Sequence, residues 1–478
     1  MSVHVATPSA RARSGEHPNR ILVPLFLGPL IYVFMQSLVI PAVGAVAASI
    51  HASVLDTTWA LTAYLVSGAV STPLAGRLGD LFGNRRVLVW VLWITAAGGL
   101  ISAVSSTLVP MVIGRILAGT STATMPLGYG IIRESLPRER LAPAIGLIAV
   151  AIAVGTGIGN VLAGVVVDHL GVPWLFWLPL IITIPTCAMA QLWIPDAHHR
   201  ERGTVHWAGA IAMSVSLLCL LIAISGSTSW GWGSARTLGL LVLGLVALVV
   251  WVRIELAAAE PLIDMRLMAL PGVWWTNAVS FLFGFAMFGA WVIVPQYVET
   301  PPSAGYGFGA SITAAGLFLL PATVTMSLGG PLASRLEHRF GPKLVLIVGG
   351  IISAAGYLLL CLFHADRGVI YVAFVLLGIG MGVGYAVLPH LIVRAVPQGH
   401  TGAATGINVI ARNIGGALGI QIGATVIAAH VPAGSAFPTE AGYVAALWLF
   451  FVAGIGATVG SACIPTRRHR ALVASEVS

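Results

Sequence analysis

Long apolar runs, each about the length of a bilayer core and separated by short polar loops, recur fourteen times along the chain. A hydrocarbon core about 30 Å thick needs about 20 residues at about 1.5 Å rise per residue. The pattern predicts membrane-spanning helices near residues 21–50, 59–75, 87–105, 108–130, 142–167, 174–194, 208–225, 238–252, 274–297, 311–333, 344–363, 369–391, 402–429 and 442–464. The fold class is therefore an all-α membrane protein. Fourteen is even, so both termini share one side.

Charge orients the threading. Loops on the side of the termini carry 20 of the 24 Lys and Arg residues, whereas the opposite side has only Arg236 and Arg367. Arg115 and Arg412 fall inside spans. Positive residues stay in the cytoplasm, so both tails are expected there, in a multi-pass protein of the plasma membrane. The formal charge of +8 is then a topology signal, and no nucleic-acid partner is expected. With 58% apolar and 8% charged residues, the composition excludes an ordinary soluble domain. The first apolar run, about 30 residues long, exceeds a signal-peptide core and is expected to stay in place.

Cys187, Cys219, Cys361 and Cys463 all fall in apolar runs without metal-ligand spacing and read as small buried hydrophobes. No phosphate-binding loop, zinc motif or nucleophile elbow is present, so neither ATP hydrolysis nor another enzymatic activity is expected, and no cofactor or metal is called for.

The chain also repeats itself. Gly76-Arg77-Leu78-Gly79-Asp80-Leu81-Phe82-Gly83-Asn84-Arg85-Arg86 follows the second span, and Ser334-Arg335-Leu336-Glu337-His338-Arg339-Phe340-Gly341-Pro342-Lys343 follows the tenth. Arg, Leu, Phe, Gly and a basic residue recur at an offset of 258. Gly146, Gly155 and Gly159 return as Gly406, Gly415 and Gly419 at an offset of 260. Parallel repeats build a large class of secondary transporters. Six spans take a little under 200 residues, which leaves room for two more between the copies. The expected organisation is a tail at 1–20, a six-helix bundle at 21–195, a linker with two extra helices at 196–270, a second six-helix bundle at 271–464 and a tail at 465–478.

These motifs resemble those of the major facilitator superfamily, in particular its fourteen-helix branch of drug/proton antiporter-like proteins. The 76–86 segment is similar to the signature loop of that superfamily. The resemblance implies a cytoplasmic gating latch of Gly76, Asp80, Gly83, Arg85 and Arg86, with Gly76 allowing close helix approach and Asp80 pairing with Arg85, Arg86 or a helix terminus of the other half. The plainer alternative is a solvated basic loop. Gly146, Gly155, Gly159 and Gly164 resemble the helix-packing glycines of exporter fifth helices, although Asn160 stands where those exporters have proline. Arg115, about 12 Å into the membrane by helix rise, resembles a fourth-helix arginine, to be read either as functional or as tied to first-helix carbonyls. The Gly406–Gly419 stretch resembles the thirteenth-helix pattern and places Arg412 near mid-membrane beside Asn408 and Asn413, as a structural network or a substrate contact.

Where many members of the branch carry a first-helix aspartate this chain has Gln36, which does not titrate. Asp56 is either a proton site or an N-cap of the second helix; His390 is either a proton carrier or an interfacial histidine. The leading functional expectation is a secondary transporter working by alternating access, monomeric in the bilayer, coupling protons to efflux of small organic compounds. Two buried cations without an evident anion favour, on Coulomb grounds, a second reading as a carrier of anionic or zwitterionic metabolites. A non-transporting membrane sensor or scaffold is the alternative from another class.

Overall fold

Inside lipid a backbone satisfies its polar groups only through its own helix or a closed barrel, and this chain takes the helical solution. The computed structural model describes residues 18–196, 206–258, 261, 265–396, 401–432, 435 and 437–465, among which there is no strand. The expected tails therefore lie outside the described residues, apart from 18–20 and 465.

The helices run in chain order as α1 (Pro18–Ser37), α2 (Val43–Ser49), α3 (Val54–Phe82), α4 (Asn84–Val104), α5 (Leu108–Gly119), α6 (Thr124–Ser135), α7 (Arg138–Leu170), α8 (Trp174–Trp193), α9 (Trp207–Trp230) and α10 (Ala235–Ala257). They continue as α11 (Met265–Met268), α12 (Pro271–Glu299), α13 (Ile312–Phe340), α14 (Pro342–Phe363), α15 (Arg367–Ala395), α16 (Thr401–Ala428) and α17 (Glu440–Cys463).

Twelve of the described helical segments are long and apolar enough to cross a membrane, and Val154–Leu170 within α7 is a shorter apolar stretch. The expected fourteen is thus not reached on length and composition. The expected spans at 59–75 and 142–167 fall within α3 and α7, 29 and 33 residues long. Their apolar character is diluted by Thr57, Thr58, Thr62 and Thr72 on α3 and by Thr156 and Asn160 on α7, all buried against protein.

Two expected spans are interrupted. The 21–50 run breaks between α1 and α2 around Pro41, which has no N–H to donate and biases the preceding residue away from the helical region. The 108–130 run passes through a 3-10 segment, Thr120–Ala123, between α5 and α6. The second helix begins with Ser53 as its N-cap. The Ser53 hydroxyl accepts from Asp56 N at 3.0 Å and donates to Asp56 Oδ2 at 2.7 Å. Asp56 is therefore the third residue of the helix, with Ser53 as its cap.

α1 packs on α7 and α8, α4 on α5 and α8, and α3 on α5; further along, α12 packs on α16 and α17, α14 on α15 and α17, and α13 on α15. The two sets meet where α16 lies on α3 and α13 on α7. α9 pairs with α10 and touches both α3 and α16. α10 buries only Thr237, Gly244 and Glu255 among its described residues and leaves most of its apolar surface uncovered by protein.

The sequence repeat has a backbone counterpart. Gly83 (φ 96°) joins α3 to α4, and Gly341 (φ 80°) joins α13 to α14. A side chain is strained at either position, so Gly83→Ala should destabilise the protein by about 1–3 kcal/mol, read as a lowered midpoint in thermal unfolding of detergent-solubilised protein.

Candidate functional site

Arg115 is fully buried on α5. Its Nε donates to the Ala60 carbonyl of α3 at 3.1 Å, and Nη1 donates to the Met35 carbonyl of α1 at 2.6 Å. The guanidinium lies over the Tyr64 ring, 4.4 Å from its centroid. Tyr64 in turn donates to or accepts from Ser121 at 2.8 Å, donates to the Tyr32 carbonyl at 2.7 Å and stacks on Tyr32. A buried charge is tolerable only when paired or well hydrogen-bonded. Here the Met35 carbonyl in the last turn of α1, the Ala60 carbonyl within α3 and an aromatic face do that work, while Nη2 has no hydrogen-bond partner among the described residues. Gln36 is the next residue after Met35, buried in the last turn of α1.

A second cation sits across the interface. Arg412 of α16 is buried and lies over the Tyr385 ring of α15 at 4.3 Å. Its charge acts on Tyr32 and Tyr129 of the other helix set, so it faces the seam between the sets. Asn408 donates to Asn277 of α12 at 3.1 Å. Among the described residues, Arg412 Nε, Asn408 Oδ1, and both polar side-chain atoms of Asn413, Gln421 and Asn160 are buried with no hydrogen-bond partner. Buried polar atoms are normally satisfied. A run of them along α16, the helix that lies on α3, is the arrangement expected of a site that water or a polar ligand fills.

The α7 glycines divide between two jobs. A Cβ at Gly155 would lie 2.8 Å from Leu30 Cδ1, and one at Gly159 would overlap Ser37; both hold α7 against α1. Gly415 and Gly419 hold α16 against the carbonyls of Phe281 and Phe285 on α12 in the same way. Gly164 instead abuts the Thr313 backbone of α13, across the seam, where Thr313 also donates to Asp168 Oδ2 at 2.9 Å. The packing of Gly146, also on α7, lies outside the described residues.

The described residues show part of the 76–86 loop's contacts. Gly76 meets nothing within 4 Å, and the close approach belongs to Gly79, where an added Cβ would overlap the Asn84 side chain and lie 2.9 Å from Leu127. Asn84 donates to Glu134 Oε1 at 2.6 Å. Arg85 pairs with Asp196 at 3.0 Å, Arg86 reaches the same carboxylate at 3.9 Å, and Arg85 also donates to the Gln191 carbonyl. These arginines therefore have α8 and the residues after it as partners; the Asp80 side chain lies outside the described residues. His390 pairs through Nδ1 with Glu337 Oε2, and Arg394 Nε donates to its Nε2 at 3.2 Å. The arginine bond marks Nε2 as an acceptor, which leaves the ring proton on Nδ1.

One carboxylate has no counterpart among the expected site residues. Glu299 ends α12 as a half-buried residue, and its Oε1 is buried without a hydrogen-bond partner among the described residues. A Glu three residues after Gln296, closing an apolar helix, was its sole sequence signal. The tyrosines that hold the two arginines were likewise missed, because ring partners arrive from distant segments.

The profile of the Major Facilitator Superfamily matches residues 25–420. The tetracenomycin C resistance and export protein of Streptomyces glaucescens is 28% identical over 91% of this chain and 80% of its own length. The multidrug transporter protein MdtP of Bacillus subtilis is 27% identical over 86% of this chain and 76% of its own. Among solved structures, a mutant of the nucleoside transporter NupG superposes with a TM-score of 0.65 at 13% identity, covering 93% of this chain and 99% of that one, a likeness of fold.

Proposed function

The chain belongs to the Major Facilitator Superfamily, is a multi-pass membrane transporter of small molecules rather than an enzyme, and we propose that it exports small organic compounds across the plasma membrane in exchange for protons. The observation that carries the reading is the row of unpartnered buried polar atoms on α16, with Asn160 and Arg115 Nη2, at the seam between two helix sets. Export as the direction is supported by the resistance and export roles in the names of its relatives.

In this reading α1–α8 and α12–α17 are the two bundles of residues 21–195 and 271–464, which rock about the seam. α3 and α7 complete a count of fourteen crossings, α9 and α10 are the insert, and the ends bearing Arg85 and Arg394 face the cytoplasm with both tails. The protein works as a monomer, with Arg85, Arg86 and Asp196 tying the cytoplasmic ends of α4 and α8. Arg412, with an unpartnered Nε, favours a second reading in which the cargo carries a negative or zwitterionic group.

The test uses inside-out vesicles with an acidic lumen, challenged with cationic, neutral and anionic compounds while lumenal pH is followed. Expected is proton release provoked by particular compounds and absent from vesicles without the protein. Labelled compound equilibrating with no proton release would overturn the antiport reading.

A further inference from the structure

Glu299 is a carboxylate placed where the two helix sets touch. A Cβ built on Gly44 of α2 would sit 3.6 Å from Glu299 Oε2, so the carboxyl group rests against the backbone of the helix that follows the α1 break. Its other oxygen, Oε1, is buried and has no hydrogen-bond partner among the described residues. The contact lies at the end of the molecule opposite the basic loops, the same end at which Gly164 and Asp168 of α7 meet Thr313 of α13. An ionised carboxylate without a partner in such a place is disfavoured, whereas the protonated form can stay.

We propose that Glu299 is a proton-binding site that governs closure of the outer end: the contact with α2 forms when its carboxyl is protonated and separates as it ionises. Closure then takes up one proton from the outer solvent, because a solvated carboxyl there holds none at neutral pH. Opening exposes the group to water and releases the proton. The inference deepens the proton-linked reading above, and it rests on that reading only for net proton movement across the membrane.

Other groups around Glu299 must be separated from it. Tyr443 of α17 lies within range of its charge. Tyr297 precedes it on α12, Tyr306 stacks on Tyr297 from the following loop, and Glu440 of α17 pairs with His364 at 3.0 Å and accepts from Tyr297 at 3.4 Å. His51 follows α2. The phenols stay protonated across the neutral range, which leaves His364 with Glu440, and His51, as competing titrating groups. The direction is fixed by the site: the closed form carries the extra proton. Its population is therefore highest in acid and falls as pH rises above the ordinary carboxylate range, by up to about tenfold in the closed-to-open ratio per pH unit for one proton.

The experiment places spin labels at Val54→Cys and Ser303→Cys, both exposed at the outer end, with Cys219 and Cys463 replaced by serine in the full chain reconstituted in lipid. Interspin distances are measured at a series of pH values. The expected result is a closed population that declines with pH in the parent protein and in His364→Gln and His51→Gln, and that is high and pH-independent in Glu299→Gln, where the amide imitates the protonated acid. Glu299→Asp, which retains a titratable group, should restore a pH response. A pH response in Glu299→Gln equal to that of the parent, or none in the parent, overturns the inference. The same reconstituted protein challenged with transported compounds separates the two claims: a pH-responsive gate without compound-driven proton flux sinks antiport and leaves Glu299 standing.

Discussion

Arg115→Gln is expected to reduce transport to below about a tenth of the parent rate, a change of about 1.4 kcal/mol or more in the limiting barrier or affinity, and to lower thermal stability measurably. The guanidinium alone bridges three helices: α5 carries it, α1 accepts through Met35 and α3 through Ala60. Hydrogen bonds to charged groups are worth about 1.5–3 kcal/mol each, and glutamine can replace one of the two at most. The Tyr64 ring also loses the cation over its face. Arg115→Lys keeps the charge but not the fork geometry, so it should fall between the two. Transport assays and thermal unfolding in detergent, run on all three proteins, check the order. Normal transport by Arg115→Gln would show that the central charge has no part in moving cargo.

The second large effect is expected at Gly164. Gly164→Leu should abolish transport while leaving membrane insertion intact. Any side chain there runs into the Thr313 backbone, and a backbone, unlike a flexible side chain, yields only if α7 and α13 separate. Gly316 against the Asn160 carbonyl and Gly157 at 3.0 Å from Thr323 extend the same close approach, as small residues do between membrane helices. The readout is disulfide formation between Asp168→Cys and Thr313→Cys, efficient in the parent and lost with leucine at 164. Undiminished cross-linking and transport would show that this seam tolerates separation.

Much of this was legible in the chain because a bilayer imposes one simple length on every span. The positions of most helices, and the placement of Arg115 and Arg412 inside them, follow from hydropathy. Hydropathy windows average, however, so they run through Pro41, just after the turn of α1 whose Met35 carbonyl accepts from Arg115, and through Thr120–Ala123, which holds the Ser121 partner of Tyr64. They also undervalue α3 and α7, whose polar faces are turned to protein. Asp196 as the partner of Arg85, Glu337 as the partner of His390 and Gly44 as the neighbour of Glu299 were not legible, since each pairing joins segments brought together only by packing. The cap at Ser53 lies three residues before the Asp56 cap the sequence suggests, because Asp56 is also a common cap residue.

The two helix sets meet along two flanks, one along α3 and α16, the other along α7 and α13. α9 lies on the first flank and touches both of its helices, with α10 outside it. On the other flank α7 and α13 meet directly at Gly164 and Thr313, so the molecule presents the membrane with a front and a back.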